Sequence, residues 1–443
     1  MKKEDNIKLR IPKQIYQEML QDLRRPHEYA FERIGFLLTK SKKLAEDLSL
    51  IVAIKYIAID DLNYIDDKSV GARINSSAIR AGMQAMLEHE AGCFHVHLHD
   101  HSGRPSPSFT DMDGIPQIVE SFGNIKPGES NGFLILSEDS CYAEVKLPGI
   151  KKYVTPQQIS IIGYPIKSIF NKSNDKLGSE VFVRQSFLGK DSEFSFKNIT
   201  VGIIGYGGGG SHVGQQLAHI GIKNIVVFDD DKIEYSNLNR LIGAWFSDIK
   251  KSIYKVAIAK RAIKSILPTA KVNGVVSRWQ DNPEWLQRCD IVVGCVDSFL
   301  ERQQLEAECR RYLIPLIDIG MDIHSSGEHS SMAGQIILSM PGSICMTCMG
   351  FLTDEKLAKE ATKYGNVGGR PQVVWPNGVL ASTAVGIVVD LITGWTKRED
   401  KVVYQSYDGN EGTISEHIRL RFADKECSHY LLSETGAPVF RKI

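Results

Sequence analysis

The chain has 443 residues, of which 42% are apolar, 24% charged and 8% aromatic, with 53 basic residues against 53 acidic ones. That length exceeds one ordinary domain, the balanced charge argues against a dedicated nucleic-acid binder, and no apolar run approaches the roughly 18–20 residues that span a bilayer. The opening MKKEDNIKLRIPKQ lacks the apolar core of a signal peptide, so a cytoplasmic location is expected, and eight scattered cysteines do not make a disulfide framework.

In chain order, Ile11, Ile15, Met19 and Leu23 recur every four residues and predict a helix, whereas Leu48–Ile57 is β-branched and strand-like. Ile79, Met83, Met86 and Leu87 predict a second helix over Ser77–His89. The texture up to about Pro165 is α+β. The polar stretches NKSNDKLGSE and VRQSFLGKDSEF read as a connector over 169–197, between a first domain at 1–168 and a second at 198–443. From Ile199 the strands ITVGIIG, NIVVFD, CDIVVGCVD and IPLIDIG alternate with helical segments, which is the α/β pattern of a mostly parallel sheet wrapped by helices.

In the first block, FHVHLHDH puts His95, His97, His99 and His101 at period two, on one face of a strand that runs into a loop. Ser108 and Asp111 follow across a proline-containing loop. Two histidines, an aspartate and a water make a tetrahedral catalytic zinc site with an open position. The order H-x-H, proline-containing loop, S-x-x-D resembles the JAMM motif of the JAB/MPN metalloprotease family, and Glu32 to Gly35 resembles its E-x-x-G strand. The resemblance implies His97, His99 and Asp111 as zinc ligands, Glu32 as general acid/base and Ser108 as stabiliser of the tetrahedral oxyanion. The family's spacing falls between the pairs His97/His99 and His99/His101, and its proline after the second histidine is absent here.

In the second block, the strand Ile199–Ile204 enters Gly205-Tyr-Gly-Gly-Gly-Gly-Ser211, followed by helical Val213, Leu217 and Ile220. Gly205, Gly207, Gly208 and Gly210 can cradle a phosphate, because bare backbone approaches the anion and the helix N-terminus favours it. Asp229 closes the next strand, where a carboxylate can accept ribose hydroxyls, and Asp231 follows. Asn237, Arg240 and Lys255 suit phosphoryl chemistry better than hydride transfer, and Asp297 offers a hard oxygen to magnesium. A nicotinamide-dependent oxidoreductase is the residual alternative.

The pieces GxGGxGS, DxDxIxxSNLNR, Lys255 and VDSFLER resemble the ThiF/MoeB-type adenylating domain of ubiquitin-like protein activating enzymes. That resemblance implies a Rossmann-like, doubly wound fold in which the C-terminal glycine of a ubiquitin-like protein attacks the α-phosphate of ATP, giving an acyl adenylate and pyrophosphate. It implies Asp229 on the ribose, Asn237, Arg240 and Lys255 on the phosphates, and Asp297 on Mg2+. The segment VRQSFLG resembles one whose arginine, here Arg184, reaches the neighbouring subunit, which implies a homodimer.

Cys345-Met-Thr-Cys348 is half of a zinc knuckle, and Cys427 and His429 offer a completion that departs from the family's second cysteine pair. The competing reading makes Cys345 or Cys348 the thiol that converts the adenylate to a thioester. Cys289, Cys295 and Cys309 lie in apolar patterns and read as core. Together these features predict a Zn2+ peptidase joined to an ATP-dependent activating enzyme, both acting on a ubiquitin-like protein, with a conjugating enzyme as a further partner. The alternatives are a sulfur-carrier adenylyltransferase, or an activating enzyme carrying a non-catalytic JAB-like module.

Overall fold

Alternation governs the start of the chain. Ile7, Leu9 and Ile11 of β1 (Asn6–Pro12) are buried in one core cluster, and Pro12 then hands over to α1 (Lys13–Leu23). Ile15, Met19 and Leu23 keep the four-residue spacing, but Ile11 ends the strand; the helix expected from Ile11 starts at Lys13. The computed structural model describes residues 6–26, 28, 30–67, 69–171, 180–326, 329–362, 371–424 and 426–431. The chain divides into two compact units.

The first unit continues with β2 (Ile34–Ala45), β3 (Leu48–Ala58), α2 (Ser76–His89), β4 (Gly92–Leu98), α3 (Phe109–Ile125), β5 (Asn131–Leu136), β6 (Cys141–Lys146), β7 (Tyr153–Val154), β8 (Gln158–Ile162) and β9 (Lys167–Phe170). Its sheet has the order β7-β6-β5-β4-β2-β3-β1-β8-β9 among the described residues. On α2 burial falls on Ala78, Gly82 and Met86, whereas Leu87, expected on the buried face, is half exposed. In β4, Phe94 and Val96 join the core that holds β1 and α1, while Cys93 joins the core with Phe36, Met86 and Phe122 of β2, α2 and α3. Period two therefore turns His95 and His97 toward the side covered by α2 and α3.

The second unit takes in Gly163–Ile166 and the described residues from 180 to Tyr430. The segment read as a connector is structured where it is described: a 3-10 turn spans Glu180–Leu188, and α4 (Ser192–Asn198) buries Phe196. Most of NKSNDKLGSE lies outside the described residues. Then come β10 (Thr200–Ile204), α5 (Gly208–Ile220), β11 (Asn224–Phe228), α6 (Phe246–Lys250), α7 (Lys255–Ile266), β12 (Lys271–Val275), α8 (Pro283–Gln287), β13 (Ile291–Gly294) and α9 (Phe299–Arg311). They are followed by β14 (Leu316–Ser326), β15 (His329–Ser339), α10 (Asp354–Thr362), α11 (Val374–Thr393), β16 (Val403–Asp408) and β17 (Thr413–Glu416).

The sheet order is β12-β11-β10-β13-β14-β15-β16-β17. Pairing is parallel from β12 to β14 and antiparallel from β14 to β17. The parallel half reverses strand order at β10/β13, the place where doubly wound sheets open a crevice for ligands. The 20-residue α11 is long and apolar enough to span a membrane, contrary to the expectation that no segment approaches that length. Most of it is buried against α5, β14 and β15, the packing of a core helix.

Candidate functional site

In the first unit, His97 stands near the end of β4 with almost no exposure, and His99 follows, anchored by donation of its N–H to the Leu136 carbonyl. The two Nε2 atoms lie 3.1 Å apart. Asp111 meets both, Oδ1 at 3.3 Å from His97 Nε2 and Oδ2 at 3.4 Å from His99 Nε2. The His97–His99 spacing is close to the edge of a tetrahedron with ligand bonds of about 2.0–2.1 Å, and Asp111 turns one oxygen to each ring, so the three side chains are a donor set of the kind that holds zinc. His101 instead directs Nδ1 to the Ser102 carbonyl at 2.9 Å, so His97/His99 is the pair brought together with Asp111.

Ser108 is the N-cap of α3. Its Oγ accepts the Asp111 N–H at 3.2 Å, and its own N–H donates to Asp111 Oδ2 at 2.7 Å, a reciprocal capping box. The capping box thus fixes where the Asp111 carboxylate sits, and the Ser108 hydroxyl keeps its own hydrogen to donate. Burial works to raise the Asp111 carboxyl, but the hydrogen bonds from His97 and Ser108 win and hold it well below the usual carboxylate range. Burial lowers His99, and so do His97 and His101.

The Glu32 carboxylate lies with His97 and His99 in one cluster of ligand atoms within 4.8 Å of one another. Burial raises its pKa, which keeps the group able to take up a proton. Gly71, which local patterns do not reveal, accepts the Phe31 and Glu32 N–H groups at 2.9 Å, and a Cβ there would sit 2.5 Å from the Glu32 carboxylate.

In the second unit, the chain leaves β10 through Gly205 with φ of 85°, a left-handed turn that glycine permits. A Cβ on Gly210 would overlap the Gly205 carbonyl oxygen, and one on Gly208 would sit 2.6 Å from Asn377 Nδ2. Nothing lies within 4 Å of the corresponding point on Gly207. Gly207 is thus the open position at the start of α5, where an anion can approach the helix N-terminus. Asn377, buried beside the loop on α11, was not foreseen; a polar residue in an apolar helix was its signal.

Each Asp229 carboxylate oxygen accepts one backbone hydrogen and keeps a second lone pair that a ribose hydroxyl could use. Oδ2 accepts the Tyr206 N–H at 2.7 Å and Oδ1 the Asp231 N–H at 3.0 Å, so Asp229 ties the glycine loop to β11. Burial raises its pKa, opposed by Lys255 at 3.7 Å. Asp231 is the more outward group, 67% exposed against 7% for Asp229, and it pairs with Lys255 Nζ at 2.6 Å. Asn237 Oδ1 accepts the Glu234 N–H at 3.1 Å, and Arg240 Nη1 donates to Ser236 O and Asn239 Oδ1. These bonds hold the loop bearing Arg240, which reaches α5 through the Ile242 N–H on Ser211 Oγ.

Asp297 stands exposed beyond β13, with Gln372 Nε2 3.4 Å from its Oδ1. An exposed carboxylate at the carboxyl edge of the sheet suits a magnesium ligand. Arg184 is exposed on the 3-10 turn and has no partner among the described residues.

Cys345, Cys348, Cys427 and His429 converge. Sulfur–sulfur distances are 3.6 Å for Cys345–Cys348 and 3.9 Å for Cys348–Cys427, and His429 Nδ1 lies 3.5 and 3.3 Å from Cys345 and Cys348. With bonds of about 2.3 Å to sulfur and about 2.0 Å to nitrogen, these are the edges of a Cys3His zinc tetrahedron. Cys345 is fully buried, and the pair lies within 4.8 Å of Cys427 and His429, a setting that suits metal binding better than a thiol acting alone. Burial drives the Cys345 thiol far above its ordinary range, whereas the amides of His429 and Tyr430 overcome burial to lower Cys427. Cys289 and Cys309 are fully buried and Cys295 partly so.

Comparison with known proteins gives partial relatives. The chain is 29% identical over 175 residues to ubiquitin-like modifier-activating enzyme 5 of Gallus gallus, covering 36% of this chain and 41% of that protein. It is 27% identical over 164 residues to the Drosophila willistoni enzyme of the same name, covering 34% and 38%. Protein HesA of Leptolyngbya boryana is 26% identical over 241 residues, covering 54% and 79%. The chain thus spans about two fifths of the length of the activating enzymes it matches. A crystal structure of E. coli MccB with ATP superposes with a TM-score of 0.45 at 21% identity, covering 57% of this chain and 74% of that one. The ThiF family model matches residues 183–429, more than half of the chain and all of the glycine-loop and cysteine sites described above, and the chain belongs to the ThiF family.

Proposed function

We propose that the second unit adenylates the C-terminal glycine of a ubiquitin-like protein, and that the first unit is a JAB/MPN-type zinc peptidase acting on the same class of substrate. The observation that supports adenylation best is the open space at Gly207 on the N-terminus of α5, with Lys255 bonded into the loop through Asp229 and Asp231. MgATP, when bound, supplies an electrophilic α-phosphorus and a pyrophosphate leaving group. The substrate carboxylate forms the new P–O bond as the bond to pyrophosphate breaks. Lys255 and Arg240 would offset the charge that develops, and Asp297 would hold the magnesium ion. Asp229, just beyond the end of β11, would accept the ribose hydroxyls through its remaining lone pairs.

For the first unit, the support is the convergence of His97, His99 and Asp111 with a half-buried Glu32 beside them. Zinc, when bound, supplies a Lewis acid; Glu32 accepts the proton of the attacking water and returns it to the leaving amine. Cys345, Cys348, Cys427 and His429 would hold a second, structural zinc. Arg184, exposed on the 3-10 turn, would reach the phosphates of a second subunit in a homodimer, which sedimentation equilibrium tests.

ATP–pyrophosphate exchange tests the main reading. Candidate small proteins ending in glycine, added to the full chain, should support exchange that depends on the added protein and falls at least 100-fold in Asp297→Ala. ATP binding by a chain that catalyses no such exchange with any of them would count against adenylation of a ubiquitin-like protein. A sulfur-carrier protein presents the same terminal carboxylate, and including one among the candidates reads that alternative directly.

A further inference from the structure

Beside the cysteine cluster, whose Cys348 lies two residues before Gly350, the second unit gathers positive charge with no carboxylate partner among the described residues. Lys356 on α10 donates Nζ to the Phe351 carbonyl at 2.8 Å and lies 4.7 Å from the Phe351 ring and 5.1 Å from that of Phe299. Phe351 meets Tyr404 edge-on, and His417 stacks on Tyr404 with centroids 4.0 Å apart and planes within 3°. The Arg419 N–H donates to His417 Nδ1 at 3.1 Å, so the neutral imidazole carries its hydrogen on Nε2. The Arg419 guanidinium donates to the Gly350 carbonyl.

Elsewhere in this unit partly buried cations find carboxylates: Lys255 with Asp231, Arg261 with Asp248, Arg302 with Asp318. Lys356, His417 and Arg419 have only carbonyls, rings and one another among the described residues. Burial lowers Lys356, as do Arg419 and Arg302; burial also lowers His417, as do Arg419 and Lys356. Lys356 is half-buried and Arg419 exposed, and these two neighbouring cations repel each other unless an anion compensates them. The ammonium and guanidinium groups retain hydrogens beyond those bonded to Phe351 and Gly350, and the imidazole retains its Nε2–H.

We propose that Lys356, Arg419 and the Nε2–H of His417 form a surface binding site for an oxyanion, a carboxylate or phosphate group. A carboxylate can come from an acidic segment of a protein partner lying along β17, the edge strand that ends one residue before His417. A free phosphate offers the same chemistry. The site involves none of the residues assigned to adenylation, so it stands or falls apart from that reading.

The test titrates the full chain, at constant ionic strength in chloride buffer, with inorganic phosphate and separately with a capped tetra-aspartate peptide. Histidine side-chain 15N spectra, with His417 assigned through His417→Gln, and calorimetry are the readouts. The expected result is a shift of the His417 resonance with at least one probe, and binding at least ten-fold weaker in Lys356→Gln/Arg419→Gln. Tighter binding of the peptide identifies a protein carboxylate as the source, and a response to phosphate alone identifies free phosphate. Binding of phosphate at the glycine loop would persist in the double variant and is thereby separated. If neither probe moves His417, or the double variant binds both as the wild type does, the proposal is overturned; should that variant not fold, the His417 shift in the wild type decides.

Discussion

At the scale of single residues, one methyl group is the margin at Gly210. Because a Cβ there meets the Gly205 backbone, Gly210→Ala should cost about 1–3 kcal/mol of stability and weaken ATP binding together, read by denaturant unfolding and calorimetry. Asp318 makes a different point. It is fully buried beside Arg302, 3.1 Å from Nε, and burial pushes its carboxyl up to about 6. Between the ordinary value of 3.8 and about 6 the folded chain holds a proton that the unfolded chain has released, so this group's contribution to stability falls as pH rises through that window. Melting curves of Asp318→Asn should lack that slope, and curves that stay parallel to the wild type from about pH 4 to about pH 7 would refute the assignment. Residue types announced most of the candidate groups, since His97, His99, Asp111, Lys255 and Asp297 stand out by chemistry and spacing. The backbone bonds that Asp229 accepts were hidden, because they form only on three-dimensional closure of the Tyr206 loop.

Elements carry the next lesson, because α3 places Asp111 through its cap. Removing the hydroxyl in Ser108→Ala should cost about 0.5–2 kcal/mol and loosen zinc at His97/His99 several-fold, measured by chelator competition. Unchanged zinc affinity with lowered stability would confine Ser108 to the helix alone. The Ser108-x-x-Asp111 spacing was a readable start signal, yet a helix running to Ile125 was masked by Gly114, Pro116 and Gly123 within it. At β1 the reverse occurred: Ile11 satisfies both a period of two with Ile7 and Leu9 and a period of four with Ile15, and Pro12 separates the two patterns. The parallel half of the second sheet follows from its apolar strands and glycine loop, whereas the antiparallel β14–β17 extension has no motif of its own.

For the whole molecule, the two histidine- or cysteine-bearing clusters proposed to hold zinc, one in each unit, give a stoichiometric prediction. The purified chain should hold two zinc ions, His99→Ala removing one and Cys427→Ser the other, quantified by elemental mass spectrometry; a variant that loses both would mean the sites are not independent. The order of the two chemistries along the chain is legible from motifs, but completion of the cysteine cluster is not, since its halves lie far apart in sequence. Cys348 and Cys427 are separated by 79 residues, and between them the chain forms α10, α11, β16 and β17. A metal bridging them closes that loop and reduces the entropy of the unfolded chain by about 4–5 kcal/mol, if it acts as a covalent link would. It also sets an order in time. At about 5–20 residues per second of synthesis, Cys427 follows Cys348 by roughly 4–16 seconds, so the nascent chain carries an incomplete pair of thiols until the last elements of the second sheet have been made.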